Sequence, residues 1–451
     1  MFLDTLLTPF GRKPRGSGGP PPEGRPPFGR KPGGPIPDGG RAAPRPLLDP
    51  GLPVLLLRTD HNYFHHGSLG AIRSLGRAGV PVHAILEGRA SPASRSRYLY
   101  RGHPWAPPAE RPAELAAHLH RIAERIGRPA LLLPVDDAGA LFVAEHAETL
   151  ASAFVFPRQD RDVPRRVADK SQLIAALREH GVPCPQSRTP RSAADVEDAA
   201  AELGLPLIAK WARPWRLPRG MRSTTVAHTL DEAYRLFAAG LRRDPDGGAG
   251  PLILQRRIPP DGGDWFFHGY FDASLDCLFG ATGRKHLAHP PQAGHTIAGE
   301  WTRNPELERL AVRTVRTLGC RGLVDLDFRF DAGTGAYHLL DFNPRLGAQF
   351  RLFTDRRGLD LVRVLHLDQS GRDVPPALPA FGRRLLVENQ YLRQSLGRPL
   401  LRAGTLRPLR EADELAWYAG DDLPPFLAMG GQSVLRAAGG ARGRTPRPAR
   451  R

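Results

Sequence analysis

The chain has 451 residues, 24% of them charged, with a formal net charge of +18. That length allows two or three domains with sizeable cores, and no run of about 18 apolar residues marks a membrane-spanning helix. Much of the charge sits at the ends: residues 1–50 carry eight Arg/Lys against four acids, and 436–451 carry six Arg and no acid. Both ends are Pro/Gly/Arg-rich and read as disordered, solvated arms, with nucleic-acid contact through them as the alternative. The start, Met1-Phe2-Leu3-Asp4, lacks the basic and apolar stretches of a secretion signal. Cys184, Cys277 and Cys320 form no CxxC or metal pattern, so the expected setting is the reducing cytoplasm.

In chain order, Val54-Leu55-Leu56-Leu57 reads as a buried strand, Leu69 to Ala78 as a short helix closed by Gly79, and Val80 to Leu86 as a second strand. Ala130 to Val135, with a helix after Asp136-Asp137, repeats the rhythm, so 51–157 is expected to be a small parallel-sheet α/β domain. Gly67-Ser68-Leu69-Gly70 is not a dinucleotide fingerprint. His61, His65 and His66 are joined by no further ligand cluster, so they read as polar loop residues rather than a metal site. Asp169 or Ser171 caps a helix that ends at Gly181, and a second helix spans about 192–203. Leu205 to Lys210 is a buried strand with Lys210 at its end, and Val226 resumes a strand. Leu252 to Pro259 is a strand running into an extended segment; Trp265–Phe271 and Ser274–Gly280 read as paired strands. Arg284-Lys285 begins a polar loop reaching about Gly299, and a helix over about 305–318 follows.

Two features carry chemistry. The chain holds 59 Arg and only five Lys, three of them (Lys170, Lys210, Lys285) outside the head. Where so Arg-biased a chain keeps Lys, a compact flexible point charge suited to a phosphate is implied; chance is the alternative. Then Gly322 to Phe330 and Tyr337 to Asn343 form a hairpin around Asp331-Ala332-Gly333-Thr334-Gly335. Alternation puts Asp325 with Asp327 on one face and Asp341 with Asn343 on one face. Hard oxygen ligands on a rigid hairpin suit Mg²⁺, which takes one or two carboxylates and leaves positions for substrate phosphates. The alternative is a hairpin acid paired with an arginine, with Arg345 a surface charge.

Taken in order, the Asp-Lys helix, the strand ending Ala209-Lys210, Gln255-Arg256-Arg257-Ile258-Pro259, Arg284-Lys285, Asp327-Phe328 and Asp341-Phe342-Asn343-Pro344-Arg345 resemble the ATP-grasp superfamily of carboxylate–amine ligases over about residues 51–395. The resemblance implies an N-terminal Rossmann-like parallel-sheet domain followed by a two-lobed α/β (α+β grasp) module with antiparallel sheets. It divides the chain into a head (1–50), an α/β domain (51–157), a central lobe (158–250), a C-terminal lobe with the metal site (251–395) and an extension (396–451) that no motif places. It implies that Lys170 and Lys210 contact the α- and β-phosphates of ATP. Gln255, Arg256 and Ile258 would form the adenine hinge, and Asp264 would meet the ribose, a turn residue being the alternative. Asp327, Asp341 and Asn343 would hold Mg²⁺ (or Mn²⁺), and Arg345, Arg284 and Lys285 would act on the transferred phosphoryl group and the substrate. One departure stands out. The loop after Lys210, Gly-rich in the family, here carries Arg213, Arg216, Arg219 and Arg222, whose guanidinium groups could replace backbone contacts to phosphate.

The implied activity is an ATP-dependent ligase. A carboxylate is activated as an acyl phosphate and joined to an amine, with release of ADP and phosphate. The alternative is an ATP-binding member without ligase activity. Small carboxylate and amine substrates, such as amino acids or a small peptide, are the expected partners, with a homo-oligomer possible and no membrane partner.

Overall fold

A computed structural model describes residues 47–88, 90–218, 220–290, 294–395 and 403–442. The arms expected to be disordered lie mostly outside these residues, as does Arg219. Two ends of those arms are described. Leu48 is buried, and the chain is helical from Pro424 as far as Arg442, so 436–442 is not the unstructured tail the composition suggested.

Three sheets organise the chain. The first is parallel: β1 (Val54–Leu57), β2 (Val82–Ile85), β3 (Arg101–His103), β4 (Ala130–Pro134) and β5 (Phe154–Val155), in the order β3-β2-β1-β4-β5. β1, buried throughout, pairs with both β2 and β4, as central strands of a sheet covered on both faces do. The order reverses between β1 and β4, which leaves a crevice outside their carboxyl ends. The helix after β4, Asp137–Glu145, is capped by Asp136, whose side chain accepts from Gly139 N.

The second sheet contains β6 (Ser187–Arg188), β7 (Leu207–Trp211), β8 (Thr224–Ala227) and β9 (Leu252–Arg256), antiparallel in the order β6-β9-β7-β8. β9 therefore belongs to this small lobe, which ends near 256 rather than 250. Its helices, Ala193–Leu203 and Leu230–Arg243, pack on the sheet around Val196, Leu207, Trp211 and Leu254.

The third sheet has seven strands: β10 (Asp264–Phe271), β11 (Cys277–His289), β12 (His295–Trp301), β13 (Gly322–Asp331), β14 (Ala336–Asn343), β15 (Arg384–Leu386) and β16 (Glu414–Leu415), ordered β14-β13-β10-β11-β12-β15-β16. β11 runs through Arg284 and Lys285 to His289 and pairs with both β10 and β12. The polar loop expected to begin at Arg284 is therefore strand as far as His289, and strand again from His295. Backbone pairing on both edges overrides a polar sequence. β16, in the segment no motif placed, adds a parallel strand beside β15. That segment is fixed to the first domain by Arg73, whose Nε lies 2.9 Å from Asp422 Oδ2 and whose NH2 donates to Trp417 O and Asp422 O.

Helices Val163–Ala168 and Lys170–Glu179 contribute to a core with β10, β13, β14 and helix Pro305–Leu318. They were grouped by sequence with the small lobe, but they pack against the large sheet.

Candidate active site

The hairpin β13–β14 sets the site. Asp325 faces Asn343 and Asp327 faces Asp341 across the ladder, with an irregularity just after Asp327. β10 lies on the other side of β13 and places Phe266 opposite Asp327 and His268 opposite Asp325. Register partners share a face, so this face of the large sheet gathers Asp264, His268, Lys285, Asp325, Asp327, Arg329, Asp341 and Asn343.

The three lysines among the described residues converge here. Lys170 opens its helix just after Asp169, which accepts from Ser171 N and Gln172 N; its Nζ lies 2.5 Å from Asp341 Oδ1. Lys210, at the end of β7, reaches across from the small lobe to donate to Leu340 O at 2.8 Å. Lys285 Nζ stands 3.1 Å from Asp327 Oδ1. The lysine side chains are deeply buried (6% exposed for Lys170, 9% for Lys285), while Asp341 and Asp327 remain 31% and 34% exposed. The carboxylates thus face the cleft with the ammonium groups behind them. Burial lowers the Lys210 ammonium to about 8 even though Asp341 opposes the shift. Burial works against the charge of Lys285 too, but Asp327 and Asp264 outweigh it and raise its pKa. Burial pushes Asp341 up, and Lys170 with Lys210 more than reverse this. Asp327 goes the other way: burial raises it, Lys285 only partly offsets this, and the like charges of Asp325 and Asp341 add to the rise.

These donors fit Mg²⁺. Asp327, Asp341 and Asn343 are all oxygen ligands of the hard type such an ion takes. Asn343 Nδ2 donates to Asp325 O at 3.2 Å, which leaves its amide oxygen for a cation. Among the described residues no three His, Cys, Asp or Glu side chains form a metal cage. A cation here would draw on the amide and on ligand oxygens, as Mg²⁺ does with phosphates. Asp325 is not a fourth candidate: it is engaged by His268 Nε2 at 3.1 Å and Arg345 NH1 at 3.0 Å. The contacts from His268 and Arg345 outweigh burial and hold its carboxyl well below the usual range.

Other expected site residues are placed differently. Arg284 is exposed and its guanidinium stacks 5.5 Å from the Trp265 ring centroid. Alternation along β11 turns it away from Lys285, so it is not brought to the site. Asp264 does reach the site's edge, but Arg329 grips its carboxylate at 2.6 and 3.1 Å, and Arg329 NH1 also donates to Ile258 O. A ribose hydroxyl would have to compete with that bidentate pair. In the hinge, Gln255 is buried and donates to Ser187 Oγ, and Arg256 N donates to Gln186 O, so the Arg256 N–H already serves the sheet. In the arginine loop, Arg213 Nε binds Asp169 Oδ2 at 2.9 Å, and the first arginine is thus spent on the cap of the Lys170 helix. In the first domain His61 stacks on Trp105 and His65 caps helix His66–Arg77; neither sits in a metal cluster.

The sequence reading missed Asp137, His268 and Arg329. His268 carried a signal, a lone polar residue in the apolar run Trp265–Phe271. Asp137 carried none beyond its helix start: its role appears only when the first domain meets the hairpin.

A parallel-sheet domain, a small antiparallel lobe and a large, mostly antiparallel sheet, with a carboxylate hairpin facing lysines from both lobes, make up the ATP-grasp fold. No family model matches the chain. Over 199 residues it is 28% identical to a D-alanine–D-alanine ligase of Albidiferax ferrireducens, covering 40% of this chain and 52% of that one. Over 228 residues it is 25% identical to the carbamoyl phosphate synthase large chain of Methanothrix thermoacetophila, covering 47% and 20%. The chain thus spans about half the length of the first relative and a fifth of the second. Among solved structures it superposes on N5-carboxyaminoimidazole synthetase from Staphylococcus aureus complexed with ADP, with TM-score 0.57, 10% identity and coverage of 77% and 86%. It also superposes on the biotin carboxylase domain of Hydrogenobacter thermophilus 2-oxoglutarate carboxylase, with TM-score 0.54, 16% identity and coverage of 73% and 72%. These likenesses bear out the expected fold.

Proposed function

We propose that the protein is an ATP-dependent ligase that activates a small carboxylate as an acyl phosphate and joins it to an amine. The observation that carries this reading is the opposition of Asp327, Asp341 and Asn343 to Lys170 and Lys210, two lysines from different packing units that meet at one hairpin. It is supported by the names of the relatives, a D-alanine–D-alanine ligase and a carbamoyl phosphate synthase, and by the ADP in a structural neighbour.

In this reading Lys170 and Lys210 bind the phosphates of ATP, and the Gln255–Ile258 segment takes the adenine. Asp327, Asp341 and Asn343 would hold Mg²⁺, which neutralises phosphate charge when bound. Arg345, two residues beyond Asn343, stabilises the phosphoryl group as a substrate carboxylate oxygen attacks the γ-phosphorus and ADP leaves. The amine then attacks the acyl carbon, loses a proton and expels phosphate. Such chemistry asks for positioning and charge neutralisation rather than a protein nucleophile. The substrates fall in the crevice between the first domain and the hairpin, and the mixed charge there suits small zwitterionic molecules such as amino acids.

The test is ADP formation from Mg-ATP with panels of carboxylates and amines. An Asp341→Ala/Asn343→Ala variant should lose about a hundredfold or more of that turnover. Turnover at the wild-type rate would sink the assignment.

A further inference from the structure

Two adjacent acids at the carboxyl end of β4 have different partners. Asp136 is consumed by its own surroundings: it accepts from Gly139 N, Thr59 N, Thr59 Oγ1 and Asp60 N. Asp137, next along, leaves its domain, and its Oδ1 takes Arg345 Nε at 3.1 Å. Arg345 is gripped from the other side by Asp325, through NH1 at 3.0 Å, and NH1 also donates to Leu346 O at 3.2 Å. Asp325 is in turn backed by His268, wholly buried between the rings of Phe266 and Phe353. The backbone is shaped to allow this. A Cβ on Gly347 would lie 2.3 Å from His268 Cε1 and 2.9 Å from Asp325 Cγ, so only glycine lets the chain after Arg345 pass over that pair.

We propose that Asp137 is a positioning residue for Arg345. From the first domain it fixes the guanidinium that the His268–Asp325 pair holds from the sheet, so that Arg345 meets the terminal phosphate of a bound nucleoside triphosphate in one orientation. The proposal rests on the nucleotide reading above. Its logic is geometric. Two carboxylates on one guanidinium reduce its net attraction for a phosphate, so the arrangement favours direction over charge. Arg345 Nε and NH1 are both taken, and NH2 makes no hydrogen bond to a described residue. The first domain, which contributes no lysine to the phosphates, thereby takes part in recognising the group to be transferred.

The experiment compares binding of Mg-ADP with that of the magnesium complex of the β,γ-imido analogue of ATP, using the full chain. Arg345→Ala should lower the triphosphate-to-diphosphate affinity ratio about tenfold, the scale of one hydrogen bond to a charged group. Asp137→Ala should reproduce most of that loss with the Mg-ADP affinity unchanged. Asp137→Asn, which keeps an acceptor for Nε, should restore the ratio. Adding Asp137→Ala to Arg345→Ala should cause no further loss. If the alanine variant does not fold, Asp137→Ser, too short to reach Nε, takes its place. An unchanged ratio, an equal loss for both nucleotides, an additive double variant, or identical behaviour of the Asn and Ala variants would each overturn the proposal. A wild-type protein that binds neither nucleotide would overturn the nucleotide reading itself, and this inference with it.

Discussion

One face of the parallel sheet and one face of the large sheet share a hydrophobic core, whereas the small lobe has only its own. A single cluster runs from Leu56 and Ile72 of the first domain through Phe266, Trp301 and Phe353 to Trp417 near the C-terminal end. The small lobe's cluster stays within residues 196–254. Chain order does not predict this division: helix Lys170–Glu179 precedes the small lobe but packs with the large sheet. Lys170 is therefore built into the same body as the carboxylate hairpin, while Lys210 arrives on a separately packed lobe. In the proposed reading, two phosphate-binding candidates on independent cores would let closure of the small lobe complete the site over a nucleotide, a rearrangement of the hinge type.

The sharpest way to break the comparison is to damage the shared core at its longest link. Arg73→Ala leaves the buried Asp422 carboxylate without its counter-ion, held only by Ser96 Oγ and Arg97 N, which should cost about 3 kcal/mol. The loss should appear in thermal unfolding as a lowered main transition carrying the first domain and large sheet together. A drop confined to helix Pro424–Arg442, read by hydrogen exchange, would mean that the two bodies are less unified than their packing implies. The counterpart in the small lobe is Gly240, where a Cβ would come 2.1 Å from Trp211 Cη2. Gly240→Ala should overpack that lobe by about 1–3 kcal/mol. Hydrogen exchange should speed up in 196–254 alone, and nucleotide affinity should fall while the large body's transition stays in place.

Much of this division was hidden in the sequence although the site was not. The hairpin was legible because its alternation, turn residues and oxygen ligands agree with one another, and Lys170 and Lys210 because lysine is so scarce here. Arg284-Lys285 misled because a strand lining a polar cleft on one face and water on the other carries the composition of a loop; only pairing with β12 reveals it. Trp417 had no readable code either. Its burial depends on single anchors far away in sequence, Glu388 accepting from the backbone of Trp417 and Tyr418, and Arg73 holding Asp422. Alternation alone left Asp325 and Asp327 on one face, the resemblance favoured Asp327, and the physical difference between them is that His268 and Arg345 occupy Asp325.

A smaller effect should follow the charge of Lys210. Burial brings its pKa down to about 8, so the ammonium is present at pH 7 and lost as pH rises through that value. A phosphate bound by the small lobe loses a charged donor in the same range. Affinity for Mg-ADP should therefore weaken severalfold between about pH 7 and pH 9. Lys210→Arg, charged throughout, should bind with a flatter profile. A wild-type profile as flat as that of the variant would place Lys210 outside the phosphate site and assign nucleotide binding to the large body alone.

The smallest effect tests the outer edge of the large body. Arg77 and the Tyr98 hydroxyl both bond to Asp421 and hold its carboxyl well below the usual range. A depressed carboxyl contributes stability above its unfolded pKa and loses it as pH falls through the folded value. The attachment of the C-terminal segment should therefore weaken below about pH 4. The pair is partly exposed, so the contribution is screened and modest. Hydrogen exchange in 414–436 should accelerate between pH 5 and about pH 3 in the wild type, relative to the intrinsic rate, and less so in Asp421→Asn, which is already loosened at the higher pH. Equal acceleration in both proteins would assign the anchoring of this segment to its buried contacts with Arg73, Glu388 and Arg351, and the exposed rim would then contribute nothing to the shared core's reach.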